Sequence, residues 1–391
     1  LRYFFMEEEL FVFVISKSQK KLVKLDTANL EMHINNLSEQ WQDAQATGER
    51  SHRLYQQLWK PFAQDIKTNK VVIIPDGMLY NLSFEMLAQT AVTDFKELSK
   101  KSLLAKYTIS YNFSSLMLDK RRDPHFFDSN YVGFAPGFTT VMKDGYSVQV
   151  TDSLAVDKTY LSLVKQPFIT KITKDYSRRF NGKSFLNENA SKSVFLENAR
   201  EHKIIHIGTH AESNNIYPEL SRLIFAKELD SDATNLDIED NSLYTYEIYN
   251  TNLAANLAIL TACETGKPEF QAGEGMISLA HAFTYAGSES ILTSLWQIDE
   301  QSSAQLVSLF YENLKEGMPK DKALQQAKLT YLATARGRTA SPQYWAGMVL
   351  MGDTSPIDFT TGMPSWIYWC AGIVLAGILI WFIARRRSRR L

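Results

Sequence analysis

The sequence predicts an α/β fold with a largely parallel central sheet, followed by one transmembrane helix near the carboxyl end. Three observations lead to this prediction. Short apolar runs alternate with helical patterns along the chain, as expected of parallel strands joined by helices. The 391 residues are 45% hydrophobic and 22% charged, a balance typical of globular proteins with a sizeable core. An uncharged, almost entirely apolar segment occupies residues 366–384.

The amino-terminal part of the chain contains short strand and helix patterns. In chain order, these predict strands at 10–15 and 21–25, helices at 27–46 and 50–68, and a strand at 71–74. Pro61 should kink or split the second helix, because proline removes a helix hydrogen bond. The β-branched run from Val71 ends at Pro75, Asp76 and Gly77, which is typical of a buried strand followed by a turn.

The chain then alternates between strands and helices up to residue 352. Strands are predicted at 131–134, 203–207, 257–261 and 289–295, and helices at 192–200, 275–286, 301–316 and 320–334. The stretch 353–365, with two prolines, is predicted to be a polar linker.

Residues 366–384 are predicted to form a transmembrane helix. This uncharged stretch matches the roughly 20 residues that a helix needs to cross about 30 Å of hydrocarbon. Trp366 and Trp381 lie near its ends, where aromatic residues favour the membrane interface. Cys370 would then lie inside the lipid bilayer. A buried core helix is the alternative, but the basic run 385–391 follows at once.

The charges on either side of this segment predict its orientation. The tail 385–391 holds five arginines, whereas 353–365 holds two aspartates and no lysine or arginine. The tail is therefore expected in the cytoplasm and the preceding domain in the periplasm or exterior. A cytoplasmic domain is the alternative, because no signal peptide is visible. The first residue is Leu1 rather than methionine, which predicts a carboxyl-terminal piece of something longer.

Charge and cysteine content argue against several classes of function. The net charge is −1, and since five arginines are concentrated in the tail, the remainder is acidic. This composition argues against nucleic-acid binding. Cys263 and Cys370, the two cysteines, cannot form a disulfide framework or a cysteine-based zinc site. No cofactor is predicted.

Two strand ends carry residues with catalytic potential. His210 follows the strand 203–207 after a break at Gly208, and Cys263 follows the strand 257–261. Parallel strands of an open sheet present their carboxyl ends at one edge, where ligands bind, so the two side chains should meet. A neighbouring imidazole can take the thiol proton and later protonate a leaving group. The alternative is a small buried cysteine and an unrelated loop histidine.

Residues around this pair are predicted to shape its loops. Backbone N–H groups of Cys263 and of the loop 208–211 could face the oxyanion that forms in acyl transfer. The predicted set of oxyanion or loop-shaping residues is Gly208, Ala211, Ala262 and Gly266.

Other kinds of site fit the sequence less well. His202, His206 and His210 recur every four residues, but the run is strand-like and lacks an HExxH glutamate, so no metal site is predicted. The sequence around Gly266 lacks the first glycine and the hydroxyl residue of a phosphate-binding loop. The acidic run 228–240 lacks later ligands of a calcium loop and is predicted to be solvated.

Six sequence motifs follow one another between about residues 50 and 352. They are VVIIPDGMLYNLSFEML, HIGTHA, LTACETG, GEGMISLAHAFTYAGSESILTSLWQIDEQSS, LFYENLKEG and YWAGMVLMG. Together they resemble the CHAT family, caspase-like domains related to separase. The resemblance implies a caspase-like α/β fold with a His–Cys dyad at His210 and Cys263. One departure is Ala211, where many caspase-like enzymes have glycine.

These observations predict a membrane-anchored cysteine endopeptidase that acts on protein substrates. Because members of the family that it resembles often follow tetratricopeptide repeats, such a module or a regulatory partner is expected upstream. A catalytically silent signalling scaffold with the same fold is the alternative. A Cys–His thioesterase or acyltransferase is a third hypothesis, with no supporting motif. The predicted segments are a β-hairpin and helix at 1–49, the peptidase domain at 50–352, the linker 353–365, the membrane helix 366–384 and the basic tail 385–391.

Asp299 and Glu300 are candidates for substrate specificity. They follow the strand 289–295, whose carboxyl end should border the same cleft because consecutive elements are usually neighbours. The resemblance to separase, whose matching segment helps to select a basic residue, points the same way. We therefore expect cleavage after Arg or Lys. The alternative is that one carboxylate caps the helix that begins near Gln301.

Overall fold

Buried strands rich in aliphatic side chains form the centre of the computed structural model. It describes residues 1–37, 41–118, 127–150, 156–214, 216–229, 241–261, 263–264 and 274–359. The chain divides into two compact units, Leu1–Ile357 and Asp358–Leu391. The predicted transmembrane helix 366–384 and basic tail lie outside the described residues. Within the described ranges, no helix is both long and apolar enough to span a membrane.

The strands and helices of the described residues are as follows. The strands are β1 Arg2–Met6, β2 Glu9–Ile15, β3 Lys20–Leu25, β4 Lys70–Ile73, β5 Thr108–Tyr111, β6 Ser129–Ala135, β7 Lys183–Leu186, β8 His202–Ile207, β9 His210–Glu212, β10 Arg222–Ile224, β11 Ser242–Tyr244, β12 Leu257–Leu260, β13 Cys263–Glu264, β14 Ser290–Ser294 and β15 Met348–Gly352. The α-helices are α1 Leu30–Asn35, α2 Ala44–Leu58, α3 Phe95–Lys101, α4 Thr140–Gln149, α5 Lys158–Ser162, α6 Pro167–Arg179, α7 Lys192–Asn198, α8 Thr245–Ile248, α9 Glu274–Tyr285, α10 Glu300–Lys315 and α11 Lys320–Thr334.

The central sheet is mixed and mainly parallel. Among the described residues it has eight strands in the order β4-β5-β15-β14-β12-β8-β6-β7. The strands β4, β5 and β15 run parallel to one another, and so do β14, β12, β8, β6 and β7. The two groups meet at the antiparallel pair β14 and β15. Helices flank this sheet, with α10 packed between α6 and α11. The predicted α/β class is confirmed.

Two smaller sheets accompany the central one in the described part of the chain. The strands β1, β2 and β3 form an antiparallel sheet, and the Tyr3 N–H donates to the Ile74 carbonyl just beyond β4 at 2.9 Å. A second sheet has the order β11-β10-β9-β13. In it, β9 runs antiparallel to β10 and parallel to β13. This second sheet begins where β8 and β12 end, so it forms one wall of the predicted site.

The amino-terminal helices differ from the sequence prediction. A single helix at 27–46 is wrong, because α1 ends at Asn35 and a new helix begins at Ala44. The Asp43 carboxylate accepts a hydrogen bond from the Ala46 N–H at 3.0 Å and so caps this new start. The predicted break at Pro61 is confirmed, since α2 ends at Leu58 and a short 3₁₀ helix containing Pro61 follows. The predicted segment boundary at 49–50 falls inside α2.

Candidate active site

The loop between β8 and β9 carries His210 to the edge of the central sheet. The Gly208 N–H donates to the Phe134 carbonyl at 2.8 Å, and the Thr209 hydroxyl donates to the Ile224 carbonyl. A Cβ at Gly208 would lie 2.1 Å from Ile169 Cγ2, so only glycine fits there. Gly208 therefore lets the loop pass close to Ile169, and its role in shaping an active site stays a prediction. Its N–H is already bonded, so it cannot serve as an oxyanion donor in this arrangement.

The strand ends place Cys263 beside His210. Strands β12 and β8 are parallel neighbours, and the Thr261 N–H donates to the Ile207 carbonyl at 3.1 Å. Beyond this point β13 pairs with β9 in parallel register, with Cys263 opposite His210. Neighbouring strands lie about 4.8 Å apart, so the backbones of the two residues are adjacent. Ala262 and Gly266 lie outside the described residues.

The His210 ring is buried and has a defined tautomer. Its Nε2 atom lies 2.7 Å from the Val164 carbonyl oxygen, which can only accept, so Nε2 carries a hydrogen. The Nδ1 atom is buried and has no hydrogen-bond partner among the described residues. The Phe138 ring packs against the imidazole at 5.0 Å between ring centroids. The Nδ1 lone pair is therefore left to accept a proton.

Burial keeps His210 in its neutral form. Desolvation lowers the pKa of His210, and the positive charge of Lys143 lowers it further. The Val164 carbonyl and the Glu212 carboxylate act in the opposite direction, but burial outweighs them. A histidine with a lowered pKa is neutral at pH 7, which is the form that a general base needs.

The chain segment that carries Val164 is held by two lysines. The buried Lys227 ammonium lies 3.1 Å from the Asp157 carboxylate at the start of α5. The Lys143 ammonium donates to the Leu161 carbonyl at 2.8 Å near the end of the same helix. These contacts hold the two ends of α5, the helix that precedes Val164. Sequence analysis missed this residue, because a backbone carbonyl gives no side-chain signal.

The remaining predicted site residues lie at distinct positions. Ala211 is fully buried in β9 between Leu223 of β10 and Glu264 of β13, and this extended backbone accommodates alanine. The Asp299 carboxylate accepts a hydrogen bond from the Ser302 N–H at 3.0 Å, at the start of α10. The Glu300 carboxylate accepts hydrogen bonds at the start of α6. Asp299 thus makes the cap that the alternative interpretation expects, whereas Glu300 caps a different helix, and the role of both in specificity stays a prediction.

A cavity of about 390 Å³ lies beside the His210 strand. It begins two residues along β9 from His210, at Glu212, whose carboxylate is paired with the Arg222 guanidinium at 2.7 Å. Its lining residues are Glu212, Ser213, Asn214, Leu220, Arg222, Tyr244 and Tyr246. The cavity thus borders the far end of the strand that carries His210.

His202 and His206 have separate surroundings from His210. The His202 ring bonds to the Ser129 hydroxyl and the Asn198 carbonyl. The His206 ring bonds to Thr261 on one side and to two tyrosine hydroxyls on the other. The regular spacing of these histidines in the sequence therefore does not bring the three rings to a common ligand.

Comparisons with known proteins give one family and several distant similarities. Residues 48–353 match the CHAT domain family. Human tetratricopeptide repeat protein 28 is 26% identical over 115 residues, which cover 29% of this chain and 4% of that protein. Separase in the Saccharomyces cerevisiae separase–securin complex is similar with a TM-score of 0.43 and 12% identity, over 75% of this chain and 16% of that one. The Arg-specific cysteine proteinase gingipain R is similar with a TM-score of 0.42 and 8% identity, over 84% of this chain and 75% of that one.

The chain thus spans only a small part of the curated relatives that it matches. The family match, in contrast, extends over most of the chain and includes both strand ends of the candidate site. The chain belongs to the CHAT domain family.

Proposed function

We propose that this chain is a cysteine endopeptidase in which Cys263 is the nucleophile and His210 the general base. The register of β9 and β13, which pairs these two residues, is the observation that carries the proposal. The His210 tautomer supports it, because Nε2 is bonded to Val164 and Nδ1 is left as a proton acceptor.

The reaction then follows from these positions. His210 Nδ1 takes the thiol proton of Cys263, and the thiolate attacks the carbonyl carbon of a substrate peptide bond. The imidazolium returns the proton to the departing amine, which leaves an acyl-enzyme thioester. Water, losing a proton to the same nitrogen, hydrolyses the thioester and releases the second product. The Val164 carbonyl stabilises the transient imidazolium through its bond to Nε2.

Replacement of either residue tests this mechanism. Cys263→Ala and His210→Ala should each abolish proteolysis, and the double variant should be no worse, because the two residues act as one unit. New protein amino termini in cells report activity and substrate together, and an acyloxymethyl ketone probe reports the reactive thiol. Cys370→Ala is the matched control and should keep both signals. A wild-type protein that shows neither signal would favour the signalling scaffold.

A preference for basic residues before the cleaved bond is the finer part of the proposal. It rests on Asp299 and Glu300, which lie just beyond β14. A carboxylate in a partly desolvated pocket contributes about 1.5–3 kcal/mol to a charge-assisted hydrogen bond. Separate alanine variants on a positional peptide library should lower the preference for Arg and Lys. An unchanged preference in both variants would assign the two carboxylates to capping alone.

Membrane anchoring and an upstream regulatory module complete the proposal. Residues 366–384 would cross the bilayer, with the arginine-rich tail in the cytoplasm and the peptidase domain in the periplasm or exterior. Added protease should then digest the domain in intact spheroplasts, whereas a protected domain would mean a cytoplasmic location. The similarity to a tetratricopeptide repeat protein supports an upstream repeat module that receives a partner.

A further inference from the structure

The start of helix α6 is capped by a side chain from another helix. Gln166, at the N-cap position, makes no side-chain cap, and Pro167 has no N–H to satisfy. The next two N–H groups, of Phe168 and Ile169, donate to one carboxylate oxygen of Glu300 at 2.8 and 3.0 Å. Glu300 is the first residue of α10, so its carboxylate joins the amino-terminal ends of α6 and α10.

Residues 164–169, which lead into α6, contact the loop that carries His210 at three points. The Val164 carbonyl accepts from His210 Nε2 at 2.7 Å. The Gln166 side-chain amide donates to the Thr209 carbonyl at 3.3 Å. Ile169 Cγ2 fills the space that a Cβ at Gly208 would need. A shift at the start of α6 would therefore displace the partner of the His210 ring.

Asp299 and Glu300 divide the capping between them. The Asp299 carboxylate bonds to the N–H and hydroxyl of Ser302 within its own helix, at 3.0 Å each. Glu300 instead reaches across to α6. The Asp299 cap therefore acts only within α10, whereas the Glu300 cap acts on α6, the helix next to the His210 loop.

The charges around these groups are compatible with an ionised Glu300. Burial raises the pKa of Glu300, and the neighbouring Asp299 adds to the increase, while the two N–H bonds to α6 lower it. A carboxylate at a helix amino terminus is also favoured by the helix dipole. On the histidine side, the charged groups acting on His210 are Lys143 from α4 and Glu212 from β9.

We propose that Glu300 is a positioning residue for the general base: by holding the start of α6, it keeps the Val164 carbonyl on His210 Nε2 and so leaves Nδ1 to accept the thiol proton. This inference rests on the proposed function, but it concerns the histidine tautomer, which exists whether or not a substrate is cleaved. This role of Glu300 is separate from the substrate selection proposed above for the same carboxylate.

The test compares full-length variants by two measurements. Nitrogen NMR shifts of the histidine rings, assigned with His210→Ala, report the tautomer and pKa of His210. The rate of Cys263 alkylation by iodoacetamide, measured across pH, reports thiol activation. The variants are Glu300→Ala, which removes the cap, and Glu300→Gln, which keeps an acceptor oxygen. Asp43→Ala removes a comparable cap from α2 and is the matched control.

Glu300→Ala should lower the alkylation rate near pH 7 about fivefold or more and lower the pKa of His210 by about half a unit, because weakening the Val164 bond removes an interaction that favours the imidazolium. Glu300→Gln should stay within about twofold of wild type, and Asp43→Ala should lose stability without either change. Glu300→Asp has a shorter side chain and should lower the pKa of His210 in the same direction by a smaller amount. This variant replaces Glu300→Ala in the test if the alanine variant does not fold.

Unchanged His210 signals in Glu300→Ala, or equal shifts in Asp43→Ala, would overturn the positioning role. A different result would contradict the proposed function: a wild-type protein without peptidase activity, in which Cys263 has ordinary thiol reactivity. The His210 tautomer could still be measured in that protein, so the two failures are distinguishable.

Discussion

His206 and His210 lie four residues apart in the sequence and have opposite surroundings. Both ring nitrogens of His206 are bonded: Nδ1 lies 3.0 Å from the Tyr131 and Tyr311 hydroxyls, and Nε2 lies 3.0 Å from the Thr261 hydroxyl. His210 has one bonded nitrogen and one without a partner among the described residues. Full hydrogen bonding is what a buried histidine in a stable core requires, whereas a buried nitrogen without a partner needs an explanation, which the proposed base role gives for His210.

His206 should make the fold sensitive to acid. Burial lowers the pKa of His206 to about 3, whereas a histidine in an unfolded chain has a pKa near 6.5. Between these values the unfolded chain binds more protons, so the free energy of unfolding decreases as the pH falls below 6.5. The expected contribution is about 1.4 kcal/mol per pH unit at most.

Urea unfolding of His206→Asn between pH 4 and 6 measures this effect. The variant should show a flatter dependence of unfolding free energy on pH, by about one bound proton. Some dependence should remain, because His202 and His210 also have lowered pKa values. A variant with the wild-type slope would mean that His206 is not the acid-sensitive group.

At the scale of elements, α11 is joined to the 3₁₀ helix Phe84–Met86 by a buried ion pair. The Lys328 ammonium bonds to the Glu85 carboxylate, and both side chains are almost fully buried. Burial raises the pKa of Glu85 and lowers that of Lys328, while each charge favours the ionised form of the other. Such a pair fixes two elements in register but contributes little net stability, because both charges lose their hydration.

Single and double replacements of this pair should differ sharply. Lys328→Met leaves an unpaired buried carboxylate and should lower the free energy of unfolding by about 3–5 kcal/mol. Combining it with Glu85→Leu removes both charges and should restore most of that loss. Equilibrium urea unfolding of the wild type, of Lys328→Met and Glu85→Leu alone, and of the double variant measures the coupling. Additive losses would indicate that the two side chains do not interact.

The sequence predicts elements well where one physical signal dominates. β-branched or aliphatic runs predict β4, β8, β12 and β14, and apolar periodicity predicts α10 and α11. The strand β5, with the sequence TISY, was missed because half of its residues are polar, although all are buried. The strand β15 was missed because its methionines and leucine are also common in helices. Tertiary burial decides both cases.

The candidate site also has parts that the sequence predicts and parts that it does not. The positions of His210 and Cys263 were predicted from the strand ends and from the family motifs, because chain breaks after buried strands are visible in sequence. The contacts of Val164 and Glu300 were not predicted. Val164 acts through its backbone carbonyl, which leaves no side-chain pattern. Glu300 contacts a helix that lies 120 or more residues away in the sequence, so this contact leaves no local pattern either.

At the scale of the whole molecule, strands that come late in the sequence lie in the middle of the central sheet, between strands that come early. Strands β14 and β15 are the last two that the structure describes, but they lie between β5 and β12. Among the described strands of this sheet, six precede residue 265. They form two groups, β4 and β5 on one side of the β15–β14 pair and β12, β8, β6 and β7 on the other. Removing the β15–β14 pair would divide the sheet.

A chain cut between β13 and α9 should therefore stay assembled. A cleavage site for an added protease, placed within 265–273 and cut after folding, should yield two fragments that elute together in native gel filtration and separate only in denaturant. Sheet hydrogen bonds on both sides of the carboxyl-terminal fragment hold it in place. Fragments that separate without denaturant would contradict this sheet order.

The late position of these central strands also sets the order of events during synthesis. Until residues 348–352 leave the ribosome, β5 is paired only with β4 and has one open edge, and before residues 290–294 β12 is paired only with β8. Both strands are fully buried in the finished sheet, so these edges are covered only once β14 and β15 are in place. Unpaired apolar edges of this kind recruit other chains. We therefore expect the growing polypeptide to depend on chaperones until its last strand is translated.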